Sequence, residues 1–237
     1  TSMATPGVTG AVALIQEFAK KKTNTYLSSP LIKSLLTNTA KEAGNPGPDY
    51  MYGFGLLDAK AAVDVINYQG KNTDYKEGVL KDGEVLTFSY PVVEGLPFKA
   101  TIAWLDRKGT PKSGNISTAF LNDRTAKLVD DLDMRIEQDG DVYMPYVLSP
   151  TKPSDVATAG DNVVDNIEQI FVSNPKNGTV TIKISHKKTL SADGVPFGLT
   201  VTGVAAENNL QVSSIAPVVE VTAYTAATPI QVLVKNV

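Results

Sequence analysis

Two periods of apolar residues divide the chain. Before about residue 67 the apolar side chains recur at helical spacing, and after about residue 72 they alternate every second residue. The first pattern predicts helices, and the second predicts half-buried strands. The sequence therefore divides into a helical part at residues 1–67 and a β-rich part at residues 72–204. A polar linker, residues 205–209, opens a third part at residues 205–237.

Three helices are predicted in the helical part. Residues 8–18 are small or apolar on almost every side, which is the pattern of a buried helix. The second helix starts near Ser28, with Pro30 at its first position, and the third starts near Asp58. Their apolar faces are Leu31, Ile32, Leu35 and Leu36 in the second helix, and Ala61, Ala62, Val65 and Ile66 in the third.

These helices have no sheet to cover within their own segment. A folded chain would then expose a large apolar area, which favours association or aggregation. We expect Val8, Leu14 and Phe18 to be exposed unless a partner chain covers them.

The β-rich part predicts an antiparallel β-sandwich. Its strands alternate between apolar and polar residues, and Asp139-Gly140 and Asn177-Gly178 are turn signals between them. Trp104 falls on an apolar face and is interpreted as a core residue. The apolar positions are Phe98, Ala100, Ile102, Trp104, Leu132, Met134, Ile136, Val180, Ile182, Ile184, Phe197, Leu199 and Val201.

In the third part, apolar residues again occupy every second position, as in a strand. These residues are Val219, Val221, Ile230, Val232 and Val234. A run this short cannot bury a core of its own. It is either the start of a further β-domain or a strand pair docked on the sandwich.

Composition narrows the function classes. The chain has 22 basic and 25 acidic residues, so its net charge of −3 gives no reason to expect nucleic acid as a partner. No apolar run has the length of a membrane span. With no cysteine and a single histidine, thiolate sites and multi-histidine zinc sites are excluded. His186 continues the alternation of the strand before it, so a structural role at a strand end is favoured over a catalytic one.

Ser2 is the candidate nucleophile. A hydroxyl group at the start of a buried helix lies where free N–H groups and the helix dipole stabilise developing negative charge. The alternative is ordinary capping, with Thr5 as the N-cap and Pro6 as the first helical residue.

Two segments carry a resemblance to a known family. Residues 1–6 (TSMATP) resemble the catalytic-serine segment of the subtilisin-like serine peptidases, or subtilases, and residues 52–63 (YGFGLLDAKAAV) resemble the last helix of their catalytic domain. In that family the catalytic aspartate, the histidine and the oxyanion asparagine precede the serine, and none of that sequence is present here.

The resemblance therefore implies the C-terminal helices of a subtilisin-like α/β catalytic domain, followed by the sandwich. It also implies a peptide or protein substrate, an upstream part of the catalytic domain as partner, and a secreted or extracellular protein. The isolated chain is predicted to be inactive.

The sandwich resembles the jelly-roll domain that follows the catalytic domain in some alkaline bacterial subtilases. The matching segments are residues 102–106 (IAWLD), 131–133 (DLD) and 165–168 (DNIE).

Carboxylate groups in these segments suggest a metal site. Asp131 and Asp133 share one strand face, and Asn166 and Glu168 could meet them across a strand pair. Hard oxygen ligands of this kind suit Ca²⁺, and the related subtilases often bind it. A structural calcium site and a solvated acidic face are both open. The alternative function is accordingly a non-catalytic, calcium-binding β-sandwich that serves as an interaction module.

Overall fold

Three helices open the described chain: α1 (Ala4–Thr23), α2 (Ser29–Thr39) and α3 (Ala59–Asn67). The computed structural model describes residues 2–114, 121, 123–206, 210–215 and 232–236. Among the described residues, no helix has the length and apolar character that a membrane crossing requires.

Side-chain caps determine where two of these helices begin. The Oγ atom of Ser28 accepts a hydrogen bond from Leu31 N at 3.4 Å, and Asp58 accepts one from Ala61 N at 2.9 Å. The predicted starts near Ser28 and Asp58 are therefore confirmed. Pro30 is the second residue of α2 rather than the first, because the helix already begins at Ser29.

Eight strands form two four-stranded antiparallel sheets. The first sheet has the order β1 (Thr73–Leu80), β10 (Val195–Thr202), β3 (Phe98–Trp104) and β8 (Ile167–Val172). The second has the order β2 (Leu86–Val92), β9 (Gly178–His186), β4 (Leu132–Gln138) and β5 (Asp141–Tyr143). Two separate ladders pair β6 (Tyr146–Val147) with β7 (Thr158–Ala159), and β11 (Leu210–Ile215) with β12 (Val232–Asn236).

The pairing order is that of a jelly roll. Among the eight strands of the two sheets, the first pairs with the last, the second with the last but one, and so on inward to β4 and β5. This nesting is what a long hairpin gives when it folds over into two packed sheets. The predicted antiparallel β-sandwich is thus confirmed.

The core of the sandwich lies between the sheets and consists of the residues that the alternation indicated. Trp104, Met134, Ile182 and Phe197 are at most 2% exposed. The Nε1 group of Trp104 donates to the carbonyl of Asp130 at 2.7 Å, so its one polar atom is satisfied. The interpretation of Trp104 as a core residue is confirmed.

The predicted turn at Asp139-Gly140 joins β4 to β5. Both residues have positive φ, 51° and 88°, the combination that a two-residue hairpin turn needs. Asp141 then pairs with Gln138 across the turn.

The helices do find a sheet, and it belongs to the sandwich. Helix α2 lies on the outer face of the first sheet, against β10 and β3. Ser34 Oγ lies 2.8 Å from Thr200 Oγ1, and the side-chain amide of Asn38 donates to Thr101 Oγ1 at 3.1 Å. The helical part and the sandwich therefore share a packed interface, while their division at residues 67–72 stays a prediction.

A second, smaller core holds the three helices together. Ile15 and Ala19 of α1 pack with Leu35 of α2 and Ile66 of α3, and all four are at most 1% exposed. Within α1 these two residues are the only buried ones. The other sides of α1 are not buried in this chain, as expected for an apolar helix that no partner covers.

The third part contributes the antiparallel ladder of β11 and β12. Val232 and Val234 lie in β12, as the alternation predicted. The other predicted strand residues, Val219, Val221 and Ile230, lie outside the described residues, and the prediction of a separate part at residues 205–237 is not tested.

Candidate functional site

Ser2 lies in the turn that leads directly into α1. The N-cap of the helix is Met3, and no side chain caps it. The interpretation of Thr5 as the N-cap is wrong, because the helix begins at Ala4 and Thr5 and Pro6 lie inside its first turn. Ser2 is exposed, and its hydroxyl forms no hydrogen bond to any described residue. It is therefore available to an incoming group at the positive end of the helix dipole.

The first half of α1 is exposed together with Ser2. Residues 2–10 are all exposed, and Val8 and Leu14 expose 40% and 66% of their surface. Phe18, further along, is partly buried against the helical core. The expected exposure of an apolar helix face is confirmed for Val8 and Leu14. The groups that Ser2 can contact therefore depend on what covers this face of α1.

His186 has a structural role in this fold. Its Nε2 atom accepts a hydrogen bond from Gly83 N at 2.7 Å, so the proton is on Nδ1, which donates to the carbonyl of Lys188 at 2.8 Å. Both ring nitrogens are thus engaged at the end of β9. This agrees with the prediction of a satisfied histidine, and it leaves Ser2 without a base among the described residues of this chain.

Gly55 of the second motif lies where two backbone segments approach closely. Lys41 and Leu56 exchange backbone hydrogen bonds of 2.9 and 2.8 Å. A Cβ atom on Gly55 would lie 2.1 Å from the carbonyl oxygen of Lys41, and the φ angle of Gly55 is +107°. Only glycine fits this position.

Residues 1–55 of the chain match the profile of the subtilase family, peptidase S8. This segment is a subtilase segment. It contains Ser2, α1, α2 and the loop that leads to α3. The family is a lineage of serine peptidases, whose substrates are peptides, and the antiparallel sandwich follows the subtilase segment in the chain.

The other comparisons add no argument about function. No curated protein matches the chain. A crystal structure from Sulfurospirillum deleyianum is 13% identical, with a TM-score of 0.29 over 55% of this chain and 96% of that one. A surface-associated copper-binding protein, CorA of Methylomicrobium album BG8, is 12% identical, with a TM-score of 0.15 over 55% of this chain and 80% of its own. Both scores are too low to show a shared fold.

Downstream of the subtilase segment, the sandwich brings three of the four predicted metal ligands to one place. Asp131 and Asp133, at the start of β4, and Glu168, in β8, are all buried. They come from opposite sheets, and Glu168 Oε2 accepts a hydrogen bond from Met134 N at 2.6 Å. With Asp161 they form what we term the carboxylate cluster.

Two cations of the protein occupy this cluster. Lys187 Nζ lies 2.7 Å from Asp161 Oδ1 and 3.9 Å from Asp131 Oδ1, and it also contacts Asp133. Arg135 bridges Asp133 and Asp161 from the same strand face. Burial lowers the pKa of Lys187, but the hydrogen bonds to Asp133 and Asp161 outweigh it and raise the pKa overall.

Asn166 does not join the cluster. Its Oδ1 atom accepts a hydrogen bond from Lys33 Nζ at 2.6 Å, and its amide group donates to the carbonyl of Trp104 at 2.9 Å. Asn166 therefore fastens α2 to the first sheet.

The described residues fit an ion-pair network rather than a ligand set for calcium. No group of three or more acidic or histidine side chains among them is placed to hold a metal ion. Calcium binding by Asp131, Asp133, Asn166 and Glu168 stays a prediction, as does the alternative function of a calcium-binding interaction module.

Sequence reasoning missed both cations of the network. Arg135 could have been found from the sequence, because it follows Asp133 on the same face of the strand. Lys187 could be found only from the pairing of β9 with β4, which brings it beside Asp131.

Proposed function

We propose that Ser2 is the nucleophile of a serine endopeptidase whose histidine, aspartate and oxyanion asparagine lie in sequence outside this chain. The observation that carries the proposal is the position of Ser2. It lies in the matched subtilase segment, immediately before a helix, with an exposed hydroxyl that no described residue engages.

The chemistry follows from that position. The Oγ atom of Ser2 attacks the scissile carbonyl carbon while the histidine takes the hydroxyl proton. The backbone N–H of Ser2, together with the asparagine, binds the negative oxygen that forms. The C–N bond then breaks, the amine leaves with the proton from the histidine, and water releases the acyl group from Ser2.

The same proposal makes the isolated chain inactive. A serine hydroxyl is a weak nucleophile unless a base lies within hydrogen-bond reach. His186 has both ring nitrogens engaged elsewhere. Secretion and the identity of the upstream partner remain predictions that follow from the family.

A fluorophosphonate probe tests the proposal. The 237-residue chain alone should not be labelled, whereas the chain co-expressed with the upstream part of a subtilase catalytic domain should be labelled stoichiometrically at Ser2. Ser2→Ala should abolish the labelling, and the control Ser154→Ala, at an exposed serine of a loop, should not. Full labelling of the chain alone, or equal labelling of the complex with Ser2→Ala, would contradict the proposal.

A further inference from the structure

A cavity of about 310 Å³ lies between the loop after α2 and the outer face of the first sheet. Three aromatic side chains, Phe54, Tyr146 and Phe171, line it. Phe171 exposes 43% of its surface although it lies in a strand. An apolar cavity of this size with a few polar groups is the usual form of a small-molecule site.

The loop that closes the cavity is held in place before any ligand arrives. Asp49, 5% exposed, accepts hydrogen bonds from the backbone N–H groups of Asn45, Met51 and Tyr52. These bonds hold the pKa of Asp49 below its usual value, and the bond from Tyr52 contributes most to this shift. The loop also approaches Tyr146 so closely that a Cβ atom on Gly47 would lie 2.9 Å from the ring. The cavity is therefore preformed.

One cation on the cavity wall has no fixed partner in the part of the chain that the structure describes. Lys99 of β3 lines the cavity, and no described residue forms a hydrogen bond or a salt bridge with its Nζ atom. Burial lowers the pKa of Lys99, and the carboxylate of Glu42, also on the wall, opposes the shift only in part. Elsewhere in the sandwich the partly buried Lys187 has direct carboxylate partners.

We propose that this cavity binds a small organic carboxylate with an aromatic or apolar body, such as the C-terminal end of a peptide. The carboxylate group pairs with Lys99 Nζ, and the body packs between Phe54, Tyr146 and Phe171. Gln169, which also lines the cavity, uses its amide nitrogen to bind Thr37 and Thr101, so its amide oxygen remains to accept a hydrogen bond from the ligand. The proposal does not depend on Ser2.

The test compares two probes that differ only at the carboxyl group, N-acetyl-L-phenylalanine and its neutral amide, by ligand-observed NMR titration of the full chain. A charge-assisted hydrogen bond favours the acid by about tenfold or more in affinity. Equal affinity for the two probes, or no saturable binding of the acid, would overturn the proposal. This test needs only the wild-type chain.

Variants then locate the site. Lys99→Met keeps most of the aliphatic stem and should lower the affinity for the acid about tenfold while leaving that for the amide unchanged. Lys99→Arg should keep the preference for the acid, and Lys183→Met, at a strand lysine of the opposite sheet, should behave as wild type. Thermal melting checks that each variant is folded.

Phe171→Ala separates this cavity from a neighbouring cleft. Lys99 also borders a cleft lined by Asp64 and Tyr68, and Phe171 does not line that cleft. Binding in the proposed cavity requires Phe171→Ala to weaken both probes. Loss of acid binding in Lys99→Met with unchanged binding in Phe171→Ala would place the ligand in the other cleft and refute the assignment.

Discussion

The carboxyl group of Glu168 shows how one residue can depend on the whole sandwich. Its side chain is 1% exposed between the two sheets, and Oε1 has no hydrogen-bond partner among the described residues. Burial raises the pKa of Glu168 to about 8, and the carboxylate of Asp133 adds to this. The bond from Met134 N and the charges of Arg135 and Lys187 act in the opposite direction. The protonated form is thus favoured in the folded protein at neutral pH.

Glu168→Gln should therefore reduce the dependence of stability on pH. The folded protein holds the Glu168 proton up to about pH 8, whereas the unfolded chain releases it near its ordinary pKa of 4.5. The wild type then loses up to about 1.4 kcal/mol of unfolding free energy per pH unit as pH rises through this window. Glutamine resembles the protonated acid and should remove that slope.

Urea denaturation at several values between pH 5 and 8 measures this difference. The control is Glu137→Gln, at a partly exposed residue of β4 that pairs with Lys183, and it should keep the slope of the wild type. If Glu168→Gln keeps that slope as well, the carboxyl group is ionised in the folded state and our account of its environment is wrong.

Among the elements, α2 joins the subtilase segment to the sandwich. Its backbone lies so close to β10 that a Cβ atom on Gly198 would be 2.3 Å from Leu31 N and Cα. Polar groups complete the contact, since Asn38, fully buried, donates to Thr101 and to the carbonyl of Thr200 and accepts from Thr202. The position of α2 on the sheet is therefore fixed by close packing and by hydrogen bonds, and both involve strands that are far away in sequence.

Gly198→Ala should destabilise the protein by roughly 1–3 kcal/mol, because the backbone of α2 must move away from the sheet. Gly10→Ala is the matched control, since no atom lies within 4 Å of a Cβ atom at that position in α1. It should leave stability unchanged or raise it by about 0.5–1 kcal/mol. Both values come from chemical denaturation, and a Gly198→Ala variant as stable as the wild type would show that α2 is not packed this closely.

For the molecule as a whole, the exposed half of α1 is an apolar surface that the fold of the described residues leaves uncovered. Elsewhere in the helical part, the buried apolar residues pack in its own small core, and α2 lies on the first sheet. Contiguous exposed apolar surface usually marks an interaction site or an aggregation liability. In our proposal the upstream part of the catalytic domain covers this surface.

The double variant Val8→Lys, Leu14→Lys should lower self-association of the isolated chain in sedimentation velocity and reduce its binding of an apolar fluorescent dye. The melting temperature should change little, because neither side chain is buried. The control is Val85→Lys, Val142→Lys, at valines of the sandwich that are 57% and 55% exposed. Equal loss of dye binding in both double variants would mean that α1 is not the relevant surface.

The sequence alone determined the features that depend on near neighbours. Helix and strand periods, the caps at Ser28 and Asp58, and the turn at Asp139-Gly140 all follow from interactions within a few residues, so they could be read correctly. The position of Ser2 at the start of α1 belongs to the same class, since the hydroxyl and the helix are adjacent in the chain. The sequence could not show which face of α1 is buried, because periodicity shows an apolar face but not what covers it.

Only the tertiary structure decided which distant groups meet. Packing the two sheets face to face brought Glu168 to Met134. The pairing of β9 with β4 placed Lys187 beside the carboxylates, and Asn166 contacts Lys33 instead of joining them. The packing of α2 on the outer face of the first sheet left Lys99 beside the cavity without a hydrogen bond or salt bridge from its Nζ atom to any described residue. Side-chain period is a property of the local backbone, but contacts between strands and helices far apart in sequence are fixed by the jelly-roll order and by close packing.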